Sequence, residues 1–182
     1  MKRIILIFLV LFFSLNSVVS ADEIYVPSNA AILIERSTGQ ILYEKNSEER
    51  LPMASVTKTM TMLLAIEAVD SGKITMDDIV TVSENGSSMN GSRVYLSTNE
   101  KISVSDLLKS IAVSSGNDAA VTMAEYVAGN EESFVALMNK RAEELGLENT
   151  HFMNCCGLDA EGHYSSAYDL AVISDELLKH DS

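Results

Sequence analysis

The sequence predicts an α+β domain, a helical cluster packed on an antiparallel sheet. Three observations predict it. Two short apolar, β-like runs flank a turn within residues 30–43, five helix-patterned stretches follow, and polar segments rich in Gly, Ser and Asn separate them. Two strands alone make a poor sheet, so the sheet is expected to be incomplete within these 182 residues.

The chain opens on Met1-Lys2-Arg3 and runs through ten unbroken apolar residues at 4–13, then Ser14 to Ala21 with small residues at Val19 and Ala21. A basic start, a short apolar stretch and a small-x-small site predict a signal peptide at residues 1–21 and an exported protein. A membrane-spanning helix is the competing reading, but ten residues cover only half of the roughly 20 needed. Residues 22–182 are then enough for one core but small for a two-domain enzyme. Cleavage removes Lys2 and Arg3 and no acid, which moves the formal charge from −13 to −15. A surface this acidic repels nucleic acid, and no basic cluster argues otherwise.

Ala30-Ala31-Ile32-Leu33-Ile34 reads as a strand, Ser37-Thr38-Gly39-Gln40 as a turn, and Ile41-Leu42-Tyr43 as the returning strand of a hairpin. Polar Glu48-Glu49-Arg50 leads to Pro52. From Ser55 the pattern turns helical through Met60, Leu63, Leu64, Ile66 and Ala68, until Ser71-Gly72 ends it. Residues 77–100 read as polar loop with a short strand at Ile79-Val80-Thr81-Val82. Ser103-Val104-Ser105-Asp106 resembles a capping box ahead of Leu107, Leu108, Ile111 and Val113. Further helices are predicted over 119–128, 132–145 and 167–178, the first two stopped at Gly129 and Gly146. Met60, Met62, Met123 and Met138 fit helix core better than a ligand set.

Chemistry is concentrated at Ser55-Val56-Thr57-Lys58, where i and i+3 share one helix face and the amine can reach the hydroxyl. Serine needs a base at neutral pH, and a lysine serves once burial or charge lowers its pKa. At about 7% Ser and 6% Lys, a chain of this length holds about one such pair by chance. Taken alone, the pair reads first as a helix cap beside a solvated lysine. Ser115-Gly116-Asn117 supplies a hydroxyl to relay a proton and an amide to clamp a substrate. Ser-x-Asn recurs at Ser14, Ser83, Ser88, Ser97 and Ser115, and Ser115 is selected by its apolar helical flanks. An interhelical turn is the alternative there.

Cys155 and Cys156 are sequence neighbours, whose eight-membered disulfide ring is strained, so packing rather than a bridge is expected. His151, His163 and His180 lack helical i, i+4 pairing, and no metal site is expected; His163 reads as a hydrogen-bonded structural residue. Asn85-Gly86-Ser87 and Asn90-Gly91-Ser92 match the glycosylation pattern and read as loop.

Ala54-Ser55-Val56-Thr57-Lys58-Thr59-Met60-Thr61 and Ser114-Ser115-Gly116-Asn117-Asp118-Ala119-Ala120 are followed by Gly157-Leu158-Asp159 and Gly162-His163-Tyr164-Ser165-Ser166-Ala167-Tyr168-Asp169-Leu170. Together they resemble the serine D-alanyl-D-alanine carboxypeptidases of peptidase family S11, the low-molecular-mass penicillin-binding proteins. The hairpin and Gly91-Ser92-Arg93-Val94-Tyr95-Leu96 extend the likeness over about residues 25–180. The resemblance implies a β-lactamase/transpeptidase-like fold, of which residues 22–182 are the N-terminal portion. It implies Ser55 as acyl-forming nucleophile, Lys58 as base, Ser115 as proton relay and Asn117 as the residue holding the substrate amide. The implied substrate is the peptidoglycan stem peptide ending in D-Ala-D-Ala, with β-lactams as covalent inhibitors and no cofactor. The implied location is the cell wall or the outer face of the cytoplasmic membrane, with membrane association through a C-terminal tail outside these residues.

One family feature departs. Its Lys-Thr-Gly strand, which binds the terminal carboxylate and completes the oxyanion hole, occurs nowhere in the sequence: Lys58-Thr59 is followed by Met60. The expectation is an N-terminal part that is inactive by itself. A class A serine β-lactamase would require a glutamate for deacylation and Ser-Asp-Asn where Ser115-Gly116-Asn117 stands. A non-catalytic wall-binding or regulatory relative is the other alternative, and the reading frame beyond codon 182 decides it.

Overall fold

The computed structural model describes residues 25–180, so the expected signal peptide at 1–21 lies outside the described residues. Strand β1 (Ala31–Glu35) pairs antiparallel with β2 (Gln40–Lys45), from Ala31 opposite Lys45 to Glu35 opposite Gln40. The turn between them closes on the Glu35 carboxylate. It accepts from the Ser37 and Thr38 backbone N–H groups at 3.1 and 2.8 Å and from the Thr38 hydroxyl at 2.6 Å. These donors, the Thr38 hydroxyl foremost, pull Glu35 from its ordinary 4.5 to about 2.

Helix α1 (Lys58–Asp70) is the central element, burying Met60, Thr61, Leu63, Ala65, Ile66 and Ala68. The polar stretch after it holds more structure than its composition predicts. Strand β3 (Ile79–Thr81) leads to a short helix, α2 (Glu84–Ser88), capped by the Ser83 hydroxyl on the Gly86 N–H. Strand β4 (Lys101–Ser103) then pairs antiparallel with β3. Among the described residues the β-structure is thus two separate two-stranded sheets.

Helix α3 (Val104–Ser114) starts where the capping pattern predicts, with Ser103 Oγ accepting from the Asp106 N–H at 3.0 Å. Helix α4 (Asn117–Ala128) begins two residues before the predicted 119. It buries Asn117 through Ala124 without a break, as a helix enclosed on all sides does. Helices α5 (Glu131–Glu144) and α6 (Ala167–Leu177) are capped by Asn130 and Ser166. Phe134, Phe152, Leu63, Leu107, Met123, Met138 and Ile173 fill the centre of the core. The hairpin rests on α6 through β1, which realises the expected helical cluster against an antiparallel sheet.

Arg141 ties three helices together, its Nη2 lying 2.7 Å from Glu67 of α1 and 2.9 Å from Glu176 of α6. His180 offers a third donor atom within 4.8 Å of those two carboxylates, a grouping the spacing of the histidines does not reveal. The guanidinium between the carboxylates makes this an ion-pair network joining helix ends. Among the described residues no helix is long and apolar enough to cross a membrane.

Candidate active site

Ala54–Thr57 forms one 3-10 turn, and Lys58 opens α1 directly behind it. Residues three apart eclipse in such a turn, which brings Ser55 and Lys58 together as their spacing predicts. Ser55 is exposed, whereas Lys58 is 2% exposed. Lys58 Nζ lies 3.2 Å from Ser55 Oγ, 3.2 Å from Ser115 Oγ and 2.7 Å from the Cys156 carbonyl oxygen. Burial pulls the amine below its ordinary pKa, an effect that only ionisation of the neighbouring Cys156 or Cys155 would offset.

Ser115 arrives at this amine by ending α3. It is the C-cap, in the left-handed conformation at φ 54°, and α4 restarts two residues later. Ala54, on the other side of the amine, has φ 44°. Such angles cost non-glycine residues about 1–2 kcal/mol. The two hydroxyls thus meet the lysine through backbone that tertiary packing holds in place.

Asn117, 4% exposed, starts α4 and faces loop 90–92. Its Nδ2 donates to the Asn90 carbonyl at 2.6 Å, and its backbone N–H donates to the Ser92 carbonyl at 2.7 Å. One amide N–H of the expected clamp is therefore committed to the protein. Its neighbour Asp118, fully buried, accepts backbone N–H bonds from Val94 at 3.2 Å and Leu96 at 3.0 Å, holding loop 91–96 on α4. Asp118 has no assigned role in the sequence reading. An acid opening an otherwise apolar helix was the signal that it has a buried partner.

His163 is structural, as expected. Its Nδ1 accepts from the Met153 N–H at 3.0 Å, so the neutral ring carries its proton on Nε2 and donates to Thr57 Oγ1 at 2.7 Å. Burial, reinforced by His151, lowers its pKa and favours that neutral form. Cys155 and Cys156 are buried thiols, and the Cys156 carbonyl forms one wall of the lysine site. That contact is absent from the sequence reading, since every residue has a carbonyl.

A buried amine between two hydroxyls can take a proton from one and exchange it with the other, the requirement of acyl transfer with a lysine base.

The sequence model of a family described as D-alanyl-D-alanine carboxypeptidase, Peptidase S11, matches residues 17–182. D-alanyl-D-alanine carboxypeptidase DacF of Bacillus subtilis is 56% identical over 161 residues, 88% of this chain and 41% of that protein. Penicillin-binding protein 6B of Escherichia coli superposes with a TM-score of 0.84 at 40% identity, over 91% of this chain and 54% of the other. Penicillin-binding protein D2 of Listeria monocytogenes, solved with ampicillin bound, gives 0.77 at 31% identity over 88% and 65%. The chain spans about half the length of the curated relatives it matches. A family match across residues 17–182, together with a shared fold at these identities, places the chain in peptidase family S11, the D-alanyl-D-alanine carboxypeptidases.

Proposed function

We propose that the chain supplies the acyl-forming side of a serine-type D-Ala-D-Ala carboxypeptidase. Ser55 is the nucleophile, Lys58 its base, Ser115 the proton relay and Asn117 the clamp on the substrate amide. The observation that supports this most is the buried Lys58 amine, 3.2 Å from each serine hydroxyl. In this scheme neutral Lys58 takes the Ser55 proton as Oγ attacks the penultimate carbonyl of a stem peptide ending in D-Ala-D-Ala. Ser115 passes the proton to the departing D-Ala amine, and water then hydrolyses the acyl-enzyme. β-Lactams acylate the same serine, a reading supported by the ampicillin-bound relative.

The developing oxyanion and the substrate carboxylate need further donors. The half-length coverage of relatives supports assigning these to chain outside these 182 residues, on the Lys-Thr-Gly strand of the family. The basic and apolar start at residues 1–21 supports export as a signal peptide, so that the protein works at the cell wall or the outer face of the cytoplasmic membrane. Membrane attachment is assigned to a C-terminal tail, and the net charge of −13 disfavours nucleic acid.

Labelled penicillin tests the proposal. The full natural chain takes up one label per molecule, Ser55→Ala takes up none, and residues 22–182 alone take up none. Ser55-dependent labelling of residues 22–182 overturns the half-site assignment. Labelling of the full chain that survives Ser55→Ala overturns the acyl-enzyme itself. Comparing D-Ala release with β-lactam turnover separates the carboxypeptidase from a β-lactamase.

A further inference from the structure

The Cys156 carbonyl, at 2.7 Å, is nearer to Lys58 Nζ than either hydroxyl, and the two-serine scheme leaves it without a purpose. A carbonyl only accepts, so it takes an N–H in both protonation states of the amine. The ammonium has three N–H groups for its three neighbours. The neutral amine has two and a lone pair. Once the carbonyl has taken one N–H, the other N–H and the lone pair are left for the two hydroxyls. The carbonyl therefore determines where the lone pair of the base points.

What aims the carbonyl is visible in the same peptide unit. The Cys156 C=O and the Gly157 N–H point in opposite directions across a trans bond. The C=O end meets Lys58, and the N–H end donates to Asn154 Oδ1, also at 2.7 Å. That oxygen accepts further N–H bonds from Cys156 at 3.2 Å and Leu158 at 3.1 Å, while Asn154 Nδ2 donates to the Leu158 carbonyl at 2.7 Å. From α1, Thr61 Oγ1 donates to the preceding Cys155 carbonyl at 2.6 Å. Asn154, the peptide and the amine form a line of hydrogen bonds, each polarising the next.

We propose that Asn154 is a positioning residue for the reaction: through the Cys156–Gly157 peptide it orients the Lys58 amine between Ser55 and Ser115. This rests on the acyl-enzyme reading above. Asn154 lies one peptide unit from the amine and acts through that unit. The titratable groups that face Lys58 are the Cys156 and Cys155 thiols of the same loop, with Glu131 of α5 accepting from Cys155 Sγ at 3.3 Å behind them. From the end of α3 the neighbour is the Ser115 hydroxyl.

The test is the pH dependence of acylation by labelled penicillin, measured on the full natural chain, with melting temperature followed alongside. Asn154→Ala releases the peptide. The rate falls on the order of 10²-fold, and the rising limb of the profile moves to lower pH, because the ammonium loses a fixed acceptor. Asn154→Asp keeps the acceptor and adds negative charge at the far end of the line, so the limb moves to higher pH by about one unit. A residue that only stabilises the loop would lower the melting temperature in both variants and leave the Asn154→Ala rate and limb where the wild type has them, and that result overturns the proposal. Should Asn154→Ala fail to fold, the neutral Asn154→Ser takes its place, and a wild-type rate with an unmoved limb in that variant overturns the proposal. Wild-type labelling independent of Ser55 would overturn the underlying reading, an outcome distinct from labelled wild type with unmoved limbs.

Discussion

Gly157→Ala tests whether the loop at 154–158 and the turn that carries Ser55 are one mechanical unit. Gly157 has φ +88°, and a Cβ there would lie 1.9 Å from the Ala54 carbonyl oxygen, 2.3 Å from its carbon and 2.9 Å from the Ser55 nitrogen. Non-bonded heavy atoms rest about 3.5–4.0 Å apart, so one backbone must give by more than about 1 Å. Ala54 is already at φ 44° and leads directly into Ser55, so relief moves Ser55 or the Cys156 carbonyl that Lys58 meets. The left-handed angle contributes about 1–2 kcal/mol and the overlap about 1–3 kcal/mol, for a loss of about 2–5 kcal/mol. Misplacement of this size also lowers acylation on the order of 10²-fold. Gly39→Ala is the control: φ is +72°, but nothing lies within 4 Å of the added carbon. It has the backbone cost alone, about 1–2 kcal/mol, with acylation unchanged. Denaturant titration and the second-order rate of penicillin labelling measure both variants. If Gly157→Ala matches Gly39→Ala in both, the coupling between loop and turn is refuted.

Lys58→Arg keeps the charge but removes a base that can lose its proton, and labelling by penicillin falls about 10²–10⁴-fold; a wild-type rate would exclude Lys58 as the base. In the wild type the rate rises with pH through a folded pKa that burial holds below that of a free lysine. The sign extends to stability. The folded chain binds this proton less tightly than the unfolded chain, so stability increases as pH rises through the same window. Asp118→Asn replaces a carboxylate oxygen with a donor facing the Val94 and Leu96 N–H groups. It costs about 2–3 kcal/mol, read by denaturant titration, and frees loop 91–96 to proteolysis. An unchanged midpoint and cleavage pattern would show that the loop is held from elsewhere.

Local features were legible. The hairpin at 31–45, the helices at 104–114, 131–144 and 167–177 and the Ser103 cap follow from periodicity and turn chemistry, which depend on near neighbours. So did the Ser55–Lys58 pair, because residues three apart in a helical turn meet whatever else the chain does. The three-residue strand β4 was not legible, being too short for a period and made a strand by its partner β3. Nor was α2, whose Glu-Asn-Gly-Ser-Ser sequence has little helical propensity and is held against α4.

Ser115 stands between these cases. Apolar flanks selected it from five Ser-x-Asn occurrences, yet its 3.2 Å approach to an amine 57 residues away depends on how α1, α3 and α4 pack. The sequence by itself determined which residue types are available for acyl transfer, and that a serine and a lysine lie on one turn. Tertiary structure alone decided that the lysine is buried, that a second hydroxyl meets it, and that the Cys156 carbonyl takes its third bond. The physical reason is that burial and backbone direction belong to the packed chain: every residue has a carbonyl, and only the fold determines which one faces the amine.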